Sequence, residues 1–140
     1  MLTSAIEGLS PIKLWKRFFE ISQIPRPSKN EERVRLYLRN FAGQNNFDIK
    51  EDEVGNTVIL VPPKPGFENA QTVVLQSHVD MVCEKNKDTQ HDFTQDPIKL
   101  LREGEWIKAD GTTLGADNGI GVAAALAVSQ DDDFNHGPLE

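Results

Sequence analysis

The spacing of apolar residues changes several times along this 140-residue chain, and each change marks an element. Between Ser10 and Ser22, Trp15, Phe18, Phe19 and Ile21 recur at helical spacing, while Lys13, Lys16 and Arg17 turn largely to water. This predicts a packing helix with Ser10 as N-cap and Pro11 at its first position. Ile24-Pro25-Arg26-Pro27 is expected to be extended, because each proline biases its predecessor away from helical angles. Ser28 with Glu31 makes a capping-box pattern for a second helix running to about Ala42. Val34, Leu38 and Phe41 fall on one face of it, Tyr37 lies beside them, and Gly43 is the expected C-terminal cap.

From Phe47 the pattern becomes that of strands. Phe47 to Glu53 reads as an exposed strand, Gly55-Asn56 as a turn and Thr57 to Val61 as a stronger strand, together a hairpin. The Pro62, Pro63, Pro65, Gly66 stretch is too short, and too soon followed by another apolar run, to be a domain linker, so residues 1–140 are taken as one domain. Thr72 to Ser77 has the composition of a buried strand that would deliver His78 to the end of a sheet. Residues 84 to 96 read as a polar surface loop. Ile98-Lys99-Leu100 and Trp106-Ile107-Lys108, flanking Glu103-Gly104-Glu105, suggest a second hairpin. After the glycine-punctuated stretch Asp110 to Gly119, Ile120 to Val128 is apolar on all sides and predicts a helix buried against a sheet. The expected fold class is α/β.

With 38% hydrophobic and 26% charged residues, the composition is that of a soluble globular domain. A net charge of −7 without a basic stripe argues against a nucleic-acid partner. The single cysteine, Cys83, excludes an internal disulfide framework and suits a reducing compartment. No leader pattern is visible, and no run approaches the roughly 18 apolar residues that span a bilayer. A cytoplasmic protein without a membrane partner is therefore expected.

Candidate chemistry concentrates at Gln76-Ser77-His78-Val79-Asp80. Two residues apart on a strand, His78 and Asp80 would share a face, and a carboxylate that holds one ring N–H leaves the other nitrogen for a cation. On spacing alone such a pair is more often a structural hydrogen bond than a metal site. Asp117, just before the apolar helix, is either a second anionic ligand in the positive field of a helix N-terminus or a simple cap. Gly119-Ile120-Gly121 is a weak dinucleotide signal because no strand runs into it. Cys83 reads as a small core residue, His91 and His136 as solvent-facing, and Glu31-Glu32 as first-turn charges.

Two long stretches, Ser77-His78-Val79-Asp80-Met81-Val82-Cys83-Glu84-Lys85-Asn86 and Ala109 through Gly121, resemble the aminoacyl-histidine dipeptidases. These form a branch of the di-zinc exopeptidases that also includes peptidase T, glutamate carboxypeptidases and acetylornithine deacetylase. Leu14-Trp15, Ile24-Pro25-Arg26-Pro27-Ser28 and Gly55-Asn56 share the resemblance. It implies the N-terminal part of a catalytic domain, a mixed sheet flanked by helices. It further implies that His78 binds one zinc, that Asp80 is the catalytic acid orienting it, and that Asp117 bridges two zinc ions and is followed by a cis peptide to Asn118. Cobalt or manganese could replace zinc. The implied substrate is a dipeptide ending in histidine (Xaa-His).

In that family a Glu-Glu pair, general base and ligand, follows the next strand. Here Pro138-Leu139-Glu140 stands where that strand should begin, and Glu140 matches neither glutamate. The later ligands and the lid or dimerisation domain are likewise absent. The resemblance thus implies a homodimeric cytoplasmic parent enzyme and inactivity of these 140 residues alone. The alternatives are a related aminopeptidase or deacylase, or a non-catalytic α/β binding module in which His78 and Asp80 are a structural pair.

Overall fold

A computed structural model describes residues 4–140. In chain order its elements are α1 (Ile12–Ser22), α2 (Glu32–Gln44), β1 (Asp48–Glu51), β2 (Thr57–Leu60), β3 (Leu100–Glu103), β4 (Trp106–Ala109) and α3 (Ala116–Ser129). These residues group into two compact units, one holding the chain up to Val34 with Ser77–Ala127, the other Arg35–Gln76 with Val128–Glu140.

In the first unit, α1 starts one residue later than its sequence suggests. Pro11 sits at φ −72° and ψ 133°, an extended conformation, and its carbonyl accepts the first helical bond from the Trp15 N–H at 3.3 Å. Ser10 is therefore not the N-cap; its carbonyl accepts the Trp15 indole N–H instead, at 3.3 Å. Phe18 and Ile21 are buried as their spacing requires, each worth about 1.5–3 kcal/mol by removal from water. Trp15 meets Phe18 edge to face at a centroid distance of 6.2 Å. At the end of α1 the Ser22 carbonyl accepts the Ile98 N–H at 2.9 Å, which ties the second hairpin to the helix. That hairpin pairs Leu100 with Ala109 and Glu103 with Trp106, so its first arm lies further along the chain than expected and Gly104-Glu105 is a two-residue loop. Gly104 takes φ 62° there, a conformation that suits glycine.

The last helix, α3, buries Val122, Ala123, Leu126 and Ala127. A sheet was expected beneath it; at its first turn a Cβ on Gly119 would meet the Arg26 guanidinium first, at 2.7 Å, and the Phe18 ring of α1 at 3.5 Å. Asp117 (φ −89°, ψ 104°) and Asn118 (φ −112°, ψ 33°) are not helical, and regular geometry begins only after them.

In the second unit, α2 buries Leu38, Phe41 and Ala42. Gly43 does not cap it. The helix runs through Gly43 to Gln44, and Asn46 takes the left-handed position at φ 56°. The Phe47 N–H then reaches back to the Ala42 carbonyl at 2.9 Å and the Asn46 N–H to the Gly43 carbonyl at 3.3 Å, a Schellman ending, with the Phe47 ring against Phe41. Asn46→Ala should destabilise the fold by about 1 kcal/mol, because a Cβ without a side-chain amide is poorly tolerated at that φ; denaturant unfolding measures it.

The first hairpin is as read, with Asp48 opposite Leu60, Glu51 opposite Thr57, and Gly55 at φ 91° in the turn. Beyond it, Leu139 bridges Val61 antiparallel and Val73 parallel, so it lies between two neighbours. The buried strand expected at Thr72 to Ser77 is not found. The segment makes this parallel bridge and the Leu75 N–H bond to the Glu140 carbonyl at 2.7 Å, and Val73, Val74 and Leu75 are all exposed. His136, expected at the surface, is buried, with Nδ1 2.6 Å from the Gly137 carbonyl and its ring stacked near Phe134.

Candidate metal centre

The loop that follows the polar 84–96 region and the second hairpin returns beside residues 82–85. The Thr113 hydroxyl donates to the Val82 carbonyl at 2.7 Å, the Thr113 N–H donates to the Glu84 carbonyl at 2.8 Å, and Lys85 bridges Thr112. From this anchor the chain needs only Leu114, Gly115 and Ala116 to bring Asp117 opposite His78. Gly115 makes the bend at φ 71°, where a side chain would also strike Met81.

Three side chains meet as a result. His78 Nδ1 lies 3.0 Å from Asp80 Oδ1, and His78 Nε2 lies 2.9 Å from Asp117 Oδ1. The two segments are 39 positions apart in sequence. The peptide between Asp117 and Asn118 is cis. The carboxylate of Asp117 is 97% exposed and bonds His78 rather than a backbone N–H of α3, so the simple cap reading of Asp117 does not hold in this geometry.

Ser28 completes the chain of contacts: its hydroxyl donates to Asp80 Oδ2. This residue was missed in the sequence, where Ser28 with Glu31 reads as a capping box. Glu31 instead accepts the Lys29 N–H, and α2 starts at Glu32 without a Ser28 cap. A short hydroxyl beside a proline serves a helix start and a distant carboxylate equally well, so nothing in the local pattern separated the two.

The electrostatics are directional. Asp80 lies below its ordinary pKa, chiefly through the Ser28 hydroxyl, aided by His78 and opposed by partial burial. His78 lies above its ordinary 6.5, chiefly through Asp117 and further through Asp80, against partial burial. With Asp80 ionised, Nδ1–H is the natural donor to it, leaving an Nε2 lone pair aimed at a carboxylate oxygen. Two acceptors at 2.9 Å require a cation between or beside them, and in the metal-free protein a proton fills that role.

The signs follow from linkage. The contribution of His78 to stability is full below about pH 6.5 and is lost as pH rises through its raised folded value. That of Asp80 is present above about pH 3.8 and is lost as pH falls through its depressed folded value. In the metal-free protein the His78 ring should titrate above 6.5, and Asp117→Asn should move it back down; ring-proton NMR against pH measures both.

The remaining candidates lie elsewhere. Cys83 is partly buried, its thiol donates weakly to the Met81 carbonyl at 3.5 Å, and burial raises its pKa, which suits an inert packing residue. His91 is half-buried against Phe93 at 4.5 Å rather than solvent-facing. Gly119 and Gly121 fall inside α3 with no strand leading into them, so the dinucleotide signal has no structural counterpart. Among the described residues, no group of three or more His, Cys, Asp or Glu side chains is placed to hold a metal ion. The donor set consists of His78 Nε2 and the Asp117 carboxylate, two ligands of the types a divalent cation takes.

No family model matches the sequence. The cytosol non-specific dipeptidase of Escherichia coli is 53% identical over 137 residues, 98% of this chain but 28% of that protein. The crystal structure of aminoacylhistidine dipeptidase from Vibrio alginolyticus superposes with a TM-score of 0.94 at 52% identity, covering 97% of this chain and 28% of the other. A tripeptidase from Staphylococcus aureus superposes with a TM-score of 0.71 at 26% identity over 91% of this chain and 34% of its own. The chain thus spans under a third of the length of its first two relatives. No helix among the described residues is long and apolar enough to cross a membrane.

Proposed function

Because nearly the whole chain is similar to part of the aminoacylhistidine and non-specific dipeptidases, we propose that it belongs to a zinc-dependent dipeptidase in which His78 and Asp117 are metal ligands and Asp80 orients His78. The observation that carries this reading is the opposition of His78 Nε2 and Asp117 Oδ1 at 2.9 Å, with the other ring nitrogen already committed to Asp80.

Zinc bound there would polarise the scissile carbonyl and acidify a water molecule. The residues of the chain do the holding. Ser28 fixes Asp80, Asp80 keeps the His78 proton on Nδ1, and His78 Nε2 with the Asp117 carboxylate receives the cation. Asp117 can serve two ions because its second oxygen makes no hydrogen bond to a neighbouring side chain. Hydrolysis joins the oxygen of water to the carbonyl carbon, breaks the C–N bond and delivers a proton to the departing amine. That proton needs a carboxylate base, and His78, Asp80 and Asp117 are all engaged otherwise. These 140 residues by themselves are therefore expected to bind metal weakly and to turn over no peptide.

The substrate class that follows is a short peptide, Xaa-His foremost, and cobalt or manganese should substitute for zinc. The proposed setting is a cytosolic homodimer. The test uses the proposed full-length parent enzyme, stripped with a chelator and reloaded with zinc, assayed against Xaa-His, other dipeptides and tripeptides. Metal-restored hydrolysis with dipeptides ahead of tripeptides is expected. Equal rates with and without metal would overturn the metal reading, and a preference for tripeptides would place the specificity with the tripeptidase relative instead.

A further inference from the structure

Among the described residues the side chain of Arg26 is the largest fully buried one, at 1% exposure, and its hydrogen bonds run to backbone carbonyls rather than to a carboxylate. Burying a guanidinium is costly unless its donors are satisfied. Here Nη1 and Nη2 donate to backbone carbonyls from two separate segments, while the buried Nε–H has no partner among the described residues. Nη1 donates to the carbonyls of Val79 at 2.8 Å and Asp80 at 3.1 Å, and Nη2 donates to that of Gly115 at 2.7 Å. The first two lie within the His78–Asp80 segment and the third two residues before Asp117.

The surroundings are shaped for the fork. A Cβ on Gly115 would come within 2.6 Å of Nη2, and one on Gly119 within 2.7 Å, so both glycines leave the space that the guanidinium fills. The backbone of Arg26 joins in, its carbonyl accepting the Met81 N–H at 3.1 Å while Pro27 bridges Met81. Two residues on, Ser28 holds the Asp80 carboxylate.

We infer that Arg26 is a positioning residue that sets the separation of His78 and Asp117 by clamping both ligand-bearing backbones, with Ser28 fixing the Asp80 rotamer from the same segment. The inference rests on the metal-centre reading for its consequence, though not for its geometry. A planar fork is needed because one side chain must donate in two fixed directions at once; a lysine keeps the charge and most of the stem but brings a single nitrogen to one of the two segments.

The experiment compares wild type with Arg26→Lys and Gly119→Ala, the latter reaching the clamp from the helix side should the lysine variant fold poorly. Ile21→Val, a packing change at a buried α1 residue that makes none of the clamp's hydrogen bonds, controls for plain loss of stability. On the full-length parent enzyme, cobalt competition against a chelator, the electronic spectrum of the cobalt form, and hydrogen exchange of the metal-free form are read together. Both clamp variants should lose cobalt affinity by roughly 10- to 100-fold, shift the cobalt spectrum, and speed amide exchange at least about tenfold in peptides covering 77–83 and 113–119. Peptides covering 12–22 should be unaffected, and Ile21→Val should do none of this at a comparable fall in Tm. Unchanged affinity and spectrum in the clamp variants, or the same losses in Ile21→Val, overturn the positioning role. If wild type itself takes up no cobalt, the metal-centre reading fails, and exchange decides alone: acceleration confined to the two clamped segments upholds the clamp, and its absence sinks it.

Discussion

Asp117→Ala should abolish metal loading and lower turnover by about 10^3-fold or more while leaving the unfolding free energy within about 0.5 kcal/mol of wild type. The separation of the two effects follows from where the side chain sits. It is 97% exposed and its hydrogen bond runs to His78, so its removal leaves no cavity and orphans no buried group. Metal affinity, by contrast, would lose one of the two ligands proposed for the chain, His78 and Asp117. Loss of a group that merely supports a ligand costs about 10- to 100-fold in affinity, and loss of the ligand itself should cost more. Several kcal/mol of transition-state stabilisation depend on the bound cation, and each 1.36 kcal/mol is tenfold in rate. Metal analysis and peptide hydrolysis on the full-length parent enzyme, beside its denaturant unfolding, check both halves. A helix cap would behave oppositely, losing about 1 kcal/mol of stability while staying active and metal-replete.

How much of this could be read from the chain depends on whether the deciding interaction is local. The α1 and α2 cores, with Phe18, Ile21, Val34, Leu38 and Phe41 buried, follow from periodicity because one apolar stripe is enough to place a helix face. Both hairpins follow from glycines flanked by β-formers. The helix ends did not follow. Ser10, Ser28 and Gly43 are all legitimate capping residues, yet Pro11, Glu32 and Asn46 occupy the decisive positions, since several chemically acceptable caps competed within a few residues.

The candidate site shows the same division. His78 and Asp80 could be paired from a two-residue spacing, but Asp117 joins them across 39 positions through a loop that the Thr113 contacts fold back. No periodicity encodes that return; only the resemblance of the two long stretches to a family linked them. Ser28 and Arg26 were invisible for a related reason. Both come from a proline-rich segment whose local reading, extended and helix-starting, was sufficient in itself, while their partners lie more than fifty residues away. The apolar run Val73-Val74-Leu75 misled in the other direction. Composition reported burial, and the described residues leave all three exposed, because burial of a strand face is a property of its neighbours and not of its own sequence.

Asp80→Asn should weaken metal binding by roughly 10- to 100-fold, and the double variant with Ser28→Ala should be no worse than Asp80→Asn alone. The wild-type carboxylate accepts from both sides, taking the His78 N–H on Oδ1 and the Ser28 hydroxyl on Oδ2. An amide of the same shape has one acceptor oxygen and one donor nitrogen. If its oxygen stays with Ser28, the NH2 group faces Nδ1, and the His78 proton is driven to Nε2, where it blocks the cation. If the amide turns over, Ser28 must become the acceptor, and the ring keeps its tautomer but loses the charge beside it. Removing the Ser28 hydroxyl frees the amide to point its oxygen at His78, so the second mutation relieves part of what the first imposed. Ser28→Ala in the wild-type background only loosens a carboxylate that still faces the ring, and it should cost tenfold or less in affinity. Cobalt competition on the three variants forms the cycle. Losses that simply add would mean that Ser28 and Asp80 act on the metal site independently, and that the contact between them orients nothing.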